Sequence, residues 1–152
     1  MKKLLNLMLL VAMAIGFASC EQTELSDNKY QNKLVGEWSV TTVKGVLMKD
    51  GVVVQEESKN IPDGEMYESI VYNFKKDGTF DEIVVEADGD RDVEKGKYSV
   101  TDGKLILSYL DDSEEPVQFD IVDISKKKLV LKASESSAGG MSATFELHFE
   151  KL

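Results

Sequence analysis

The sequence has few of the residues on which several common kinds of protein site depend. Its 152 residues include one cysteine, one histidine and two prolines. A single cysteine forms no internal disulfide, and one cysteine with one histidine falls short of a zinc site. Nucleophilic catalysis by a Cys–His or Ser–His pair would have to use His148, the sole histidine. We therefore expect a non-catalytic protein that needs no metal and no other cofactor.

Positive charge is also scarce. The chain has 18 Lys and Arg residues against 28 Asp and Glu residues, which gives a net charge of −10. An acidic excess of this size repels phosphate backbones, so we expect no nucleic-acid partner. The hydrophobic content of 42% is sufficient for a packed core, and the length is that of one domain with a short appendage.

The first twenty residues have the three parts of a secretory signal peptide. Lys2 and Lys3 form a positive head, the stretch from Leu4 to Phe17 is mostly apolar, and two small residues follow. A membrane-spanning helix needs roughly 20 apolar residues, so the apolar stretch is too short to span a bilayer. Residues 1–19 are therefore predicted to be a signal peptide.

The end of this segment, "FASC" at residues 17–20, resembles the lipobox of bacterial lipoproteins. The resemblance implies a diacylglycerol on the sulfur of Cys20, cleavage before Cys20, and fatty-acyl chains such as palmitate that anchor the protein to a membrane. Phe17 departs from the leucine that is typical of the box. The alternative is an ordinary signal peptide cut nearby, which leaves Cys20 as a free thiol. Glu21 does not resemble the inner-membrane retention signal, so we expect the outer membrane, on its periplasmic or its surface face.

From Leu34 onward the polar pattern changes to an alternation of apolar and polar residues. Residues 20–33 are polar and predict a flexible tether, whereas residues 34–152 show the period of two that is typical of strands. The predicted inward faces are Leu34, Gly36, Trp38 and Val40; Ile70, Tyr72 and Phe74; Tyr98 and Val100; Leu105, Leu107 and Tyr109; Val117, Phe119 and Ile121; Leu129, Leu131 and Ala133; and Phe145, Leu147 and Phe149.

One strand breaks this alternation. In "GTFDEIVVEA" the apolar residues Phe80, Ile83 and Val85 change phase, which predicts a β-bulge. Four Asp-Gly pairs, at residues 50–51, 77–78, 88–89 and 102–103, lie between the runs and predict short hairpins. Eight main strands with an extra hairpin around residues 50–51 predict an all-β, up-and-down antiparallel barrel. A β-sandwich is the alternative.

The start of the first strand, "LVGEWSV", is similar to the Gly-x-Trp motif of lipocalins, with Gly36 and Trp38 at the matching positions. The later hairpins resemble those of lipocalin-like lipoproteins of Bacteroidetes. The resemblance covers residues 34–152 and implies a lipocalin-like barrel in which the tryptophan plugs the closed end. Lipocalins place a basic residue against this tryptophan, and Lys151 is the candidate here. The helix that they carry before the final strand has no room between Lys132 and Met141.

Two functions remain open for such a barrel, since eight strands enclose either a filled core or one small ligand. In the first, inward aromatic residues line a pocket for a small hydrophobic or amphipathic molecule, whose polar end is fixed by a tyrosine hydroxyl. In the second, the barrel is filled and acts through a protein interaction at its acidic surface or at a strand edge. The candidate ligand-binding residues are Trp38, Tyr72, Phe74, Tyr98, Tyr109, Phe119 and Phe145.

Two loops are further candidates for a functional role. Residues 56–68 form the longest connection without a predicted strand; they either cover the mouth of the barrel, with Met66 and Tyr67 as lid contacts, or form an ordinary surface loop. The alternating acids at residues 88, 90 and 92 have the spacing of a calcium loop. Val93 and Ser99 stand where that loop needs Gly and Glu, which favours an exposed turn without metal.

Overall fold

The computed structural model describes residues 28–110, 115–137 and 139–152. Within these ranges a short helix precedes nine antiparallel strands. The elements are α1 (Asn28–Leu34), β1 (Gly36–Lys49), β2 (Val52–Asn60), β3 (Tyr67–Phe74), β4 (Thr79–Glu86), β5 (Arg91–Thr101), β6 (Lys104–Tyr109), β7 (Val117–Ile124), β8 (Lys128–Ser136) and β9 (Met141–Lys151).

Eight of the strands form a closed barrel. Strands β3 to β9 pair in sequence order, and β1 closes the ring by pairing with both β3 and β9. The ninth strand, β2, pairs with β1 through the Asp50-Gly51 turn. The predicted up-and-down barrel and its extra hairpin are therefore confirmed, and the sandwich alternative is wrong. Because a closed barrel has no sheet edge to protect, this topology suits a chain of short hairpins.

The strand β1 is long enough to have two different neighbours on one edge. Along one edge it pairs with β9 from Trp38 to Lys49. On the other edge, residues 36–39 pair with β3, whereas residues 42–49 pair with β2. The barrel wall therefore splits between the β1–β2 hairpin and the beginning of β3.

The strand directions define two ends of the barrel. The closed end contains α1 and the Asp77-Gly78 and Asp102-Gly103 turns, and the open end contains the Asp50-Gly51 and Asp88-Gly89 turns. In the hairpin turn at residues 102–103, both residues have positive φ angles, of 51° and 73°. Asp and Gly tolerate this conformation, which matches the twist of the flanking strands.

Residues 28–33, at the end of the predicted tether, form most of α1. Tertiary packing stabilises the helix at its last residue, because Leu34 is fully buried in the barrel core. The indole nitrogen of Trp38 donates a hydrogen bond to the Leu34 carbonyl oxygen at 2.6 Å, which secures the helix end. The predicted signal peptide, Cys20 and the rest of the tether lie outside the described residues. None of the described helices is long and apolar enough to cross a membrane.

The predicted bulge in β4 is also wrong. The strand keeps its register with β5 throughout, and its inward residues are Phe80, Glu82 and Val84. The apolar pattern changes phase because an acidic residue occupies an inward position, and Ile83 and Val85 face outward. The bulge in this hairpin lies instead in β3, between Tyr67 and Ser69.

The predicted strand-free connection over residues 56–68 is partly wrong. Residues 56–60 continue β2, which pairs with β1 as far as Asn60. Their side chains are exposed and mostly polar, so the sequence shows no alternation there. The true loop is therefore the segment 61–66, which leads from β2 into β3 at the open end.

Candidate ligand-binding site

The closed end of the barrel is sealed by Trp38, which is fully buried. The ammonium nitrogen of Lys151 lies 4.9 Å from the indole ring centroid and donates a hydrogen bond to the Val35 carbonyl oxygen at 2.7 Å. This contact confirms Lys151 as the basic residue that packs against the tryptophan. Gly36 has a φ of +127°, a conformation that strains any other residue, and a β-carbon there would lie 2.7 Å from Lys151 Cε and displace the lysine side chain.

Aromatic side chains fill the interior above Trp38. The ring centroids of Phe74 and Tyr98 are 5.0 Å apart, those of Phe80 and Tyr109 are 5.2 Å apart, and those of Tyr72 and Phe149 are 5.6 Å apart. All three pairs have the edge-to-face geometry that aromatic quadrupoles favour. Six of the seven candidate ligand-binding residues thus belong to the packed core or pack against it: Trp38, Tyr72, Phe74, Tyr98, Tyr109 and Phe119.

A carboxyl group lies within this aromatic core. Glu82 is 2% exposed, and its Oε2 accepts a hydrogen bond from the Tyr109 hydroxyl. Burial raises the pKa of Glu82 to about 7, although hydrogen bonds from Tyr109 and Tyr72 oppose the shift. Burial and the nearby carboxylate in turn raise the pKa of both tyrosines, which therefore stay neutral donors. Glu94 lies directly across from Glu82 on β5 and also raises its pKa.

Sequence reasoning missed Glu82 as an interior residue. The signal was present in the phase change of β4, which a bulge explained equally well. A single polar residue at an inward position of an otherwise regular strand produces the same pattern. In β4 it is the regular register with β5 that distinguishes the two explanations and places Glu82 inside the barrel.

A cavity of about 90 Å³ lies at the split in the barrel wall and is partly open to solvent. One wall is the β1–β2 hairpin, a second is β9, and a third is the 61–66 loop with the start of β3. The lining is predominantly apolar and comprises Val43, Gly45, Ile61, Met66, Tyr67, Ile70, Phe145 and Leu147, with Glu57, Lys59 and Asp63 as polar members. Phe145 is the candidate ligand-binding residue that lies on this cavity.

Gly45 contributes open space to the cavity wall. It lies in the middle of β1, opposite Phe145 on β9 and Glu57 on β2. Glycine weakens a strand interior and often marks a place where another group approaches closely. Here a β-carbon would make only ordinary contacts, 3.7 Å from the Phe145 ring, and no positive φ calls for glycine. The absent side chain therefore widens the cavity and relieves no backbone strain.

The loop at the mouth is held by Asp63. Its Oδ1 accepts hydrogen bonds from the backbone N–H groups of Glu65, Met66 and Tyr67, at 2.9, 2.7 and 2.9 Å. These bonds, that of Tyr67 foremost, lower the pKa of Asp63. Since a carboxylate accepts several backbone bonds strongly, the loop is ordered where it enters β3. Met66 and Tyr67, the predicted lid contacts, both line the cavity, and their contact with a ligand remains a prediction.

Tyr67 carries an unusual hydroxyl. The residue is 4% exposed, and no group in the described ranges forms a hydrogen bond with its buried oxygen. Burial raises the pKa of Tyr67, and the Glu86 and Asp63 carboxylates raise it further. The phenol is therefore neutral and has a proton to donate.

The remaining candidate sites have structural partners. Asp88 accepts a hydrogen bond from the Asp90 backbone at 3.1 Å, which shapes the acidic turn. Among the described residues there is no group of three or more Asp, Glu, His or Cys side chains that could hold a metal ion. His148 pairs with Glu146, two residues away on β9, at 2.5 Å.

The sequence and the architecture of this chain are similar to those of known proteins. The model of the lipocalin-like domain family matches residues 34–131. A lipocalin-like protein from Bacteroides uniformis has 21% sequence identity and a TM-score of 0.52, with 79% of this chain and 99% of that chain covered. Lobster apocrustacyanin A1 has 14% identity and a TM-score of 0.58, with 83% of this chain covered and 64% of that one. No curated protein matches the sequence. The family match extends over more than half of the chain, and the chain belongs to the lipocalin-like domain family.

Proposed function

We propose that this protein binds a small apolar or amphipathic molecule, without catalysis, in the cavity between the β1–β2 hairpin and β3. We further propose that it does so while anchored to the outer membrane by lipid on Cys20. The observation that carries the binding proposal is the apolar cavity at the split in the barrel wall, which is widened by Gly45.

The cavity limits the size of the ligand. Pockets for drug-sized molecules measure roughly 300–1,000 Å³, well above the space here. A short alkyl chain fits such a volume, and the rest of a longer molecule would extend through the open side. Each methylene group that leaves water contributes about 0.8 kcal/mol, so a few buried groups give weak but measurable binding.

Butyl methyl ketone is a suitable probe because it combines a short chain with one polar atom. We would titrate it into the purified full-length protein and follow backbone amide shifts by NMR. We expect saturable shifts at the cavity residues, among them Gly45 and Leu147.

Two matched variants test where the probe binds. Gly45→Leu places a side chain in the cavity and is expected to abolish the saturable shifts. Lys44→Leu makes the adjacent residue of β1 apolar on the opposite face and is expected to leave them unchanged. Equal binding by Gly45→Leu and wild type would contradict this location. If wild type binds no probe, the alternative of a filled barrel that acts through its surface is favoured.

The anchor rests on the resemblance of residues 17–20 to a lipobox. Two or more acyl chains exceed the single-chain threshold for stable membrane attachment, so such a protein would be held at the membrane without spanning it. Radiolabelled palmitate should label the wild type but not Cys20→Ala, and the labelled protein should fractionate with the outer membrane. Equal labelling of both proteins would refute this account of Cys20.

A further inference from the structure

The buried hydroxyl of Tyr67 distinguishes this residue from the tyrosines of the aromatic core. The Tyr98 hydroxyl donates to the Lys75 carbonyl oxygen at 2.7 Å, and the Tyr109 hydroxyl donates to Glu82. Tyr72 also hydrogen-bonds to Glu82. The Tyr67 hydroxyl has no such partner among the described residues, although Tyr67 lines the cavity.

We infer that the Tyr67 hydroxyl is the polar anchor of the ligand, and that the ligand is an uncharged short-chain molecule with a hydrogen-bond-accepting carbonyl oxygen, such as a ketone or an ester. This inference rests on the proposed function, because it names the chemistry of the same site. A buried donor without a partner is costly, so a ligand oxygen that accepts a hydrogen bond from it recovers more free energy than a hydrogen bond made in water would.

The Tyr67 backbone is held in place by two sets of hydrogen bonds. Its backbone N–H donates to Asp63, which closes the preceding loop, and its own strand pairs with β4 at Glu86. The ring is part of the buried core cluster. The donor is therefore preorganised, and little conformational entropy is lost when a ligand accepts its hydrogen bond.

The charges around the cavity favour a neutral ligand. Glu57 and Asp63 line the cavity with a single cation, Lys59, and Glu86 lies across from Tyr67. An anionic head group would meet these carboxylates and would also lose its hydration among apolar walls. A neutral acceptor avoids both costs.

Three probes test the inference in the full-length protein. Butyl methyl ketone provides the acceptor; the alkene in which a CH₂ group replaces its carbonyl oxygen has the same shape without the acceptor; pentanoate has a negative charge. We expect wild type to bind the ketone roughly tenfold more tightly than the alkene, as one neutral hydrogen bond would give. Pentanoate should bind more weakly than the ketone.

The variant Tyr67→Phe removes the hydroxyl and keeps the ring. We expect it to bind ketone and alkene with equal affinity, and to unfold at the same or a higher temperature than ligand-free wild type, because it no longer buries an unpaired donor. Tyr30→Phe, in α1 at the closed end, is the matched control and should retain the preference for the ketone.

The outcomes separate this inference from the proposed function. If wild type binds ketone and alkene equally, or if Tyr67→Phe keeps the preference, the inference is wrong while the binding function stands. Tighter binding of pentanoate would overturn the assignment to uncharged ligands. If none of the probes binds, the proposed function itself fails.

Discussion

Replacing Glu82 with glutamine should stabilise the protein at neutral pH and much less under acidic conditions. The buried carboxyl is surrounded by aromatic rings, accepts hydrogen bonds from Tyr109 and Tyr72, and faces Glu94 on the neighbouring strand. Burial raises its pKa from 4.5 to about 7. The folded protein therefore retains a proton on Glu82 over a pH range in which the unfolded chain has lost it.

The sign and size of the effect follow from this difference. A raised pKa in the folded state means that the group's contribution to stability is fully present below pH 4.5 and is lost as the pH rises to about 7. At about 1.4 kcal/mol per pH unit, the total loss is about 3 kcal/mol, most of it between pH 5 and pH 8. Glutamine has nearly the same shape, can accept the Tyr109 hydrogen bond, and does not ionise.

The assay is urea unfolding of wild type and Glu82→Gln at several pH values from 5 to 8. The free energy of unfolding of the variant relative to wild type should rise by about 2 kcal/mol or more across this range. Glu135→Gln, at an exposed position of β8, is the control and should show a nearly constant difference. If the Glu82→Gln difference is equally constant, Glu82 ionises in the folded protein as it does in the unfolded chain, and the reasoning is refuted.

Two further substitutions test how the interior and the closed end are packed. Gly96→Ala should destabilise the fold by about 1–3 kcal/mol in urea unfolding, because a β-carbon there would lie 2.5 Å from the Ser108 carbonyl oxygen and would clash with the Phe80 ring. A variant as stable as wild type would show that this part of the barrel adjusts freely. Lys151→Met should cost about 1–2 kcal/mol, since it removes the cation over Trp38 and a charged hydrogen bond while retaining the apolar stem. An unchanged denaturation midpoint would mean that the lysine contributes no stability.

The strand topology was accessible from sequence because it depends on local signals. Alternation identifies which residues of a strand face inward, and the Asp-Gly pairs mark the hairpin turns. Eight such strands joined by short turns leave few ways to protect their edges other than closure. The Gly-x-Trp motif identified the closed end of the barrel, where Lys151 packs against Trp38 as expected.

Local signals gave wrong predictions of secondary structure where a polar residue lies in the interior or where a stretch of strand has no apolar residues. Glu82 disturbed the apolar phase of β4 without disturbing its register. Residues 56–60 form a strand although all of their side chains are exposed, because pairing with β1 supplies the backbone hydrogen bonds. The segment that forms α1 has the composition of a linker, but the burial of its last residue, Leu34, fixes it against the barrel.

The site could not be predicted from local sequence signals, because several segments that are distant in sequence create it together. Gly45, Tyr67 and Phe145 become neighbours only through the pairing of β1 with β9 and the separation of β2 from β3. Whether a tyrosine hydroxyl is satisfied depends on atoms supplied by other strands, so no sequence pattern distinguishes Tyr67 from Tyr98. The barrel and its turns could be predicted from periodicity and turn chemistry, and its closed end from the Gly-x-Trp motif. Where space remains, and whether the Tyr67 hydroxyl finds a partner among the described residues, became clear only from the three-dimensional structure, because both depend on packing among the strands.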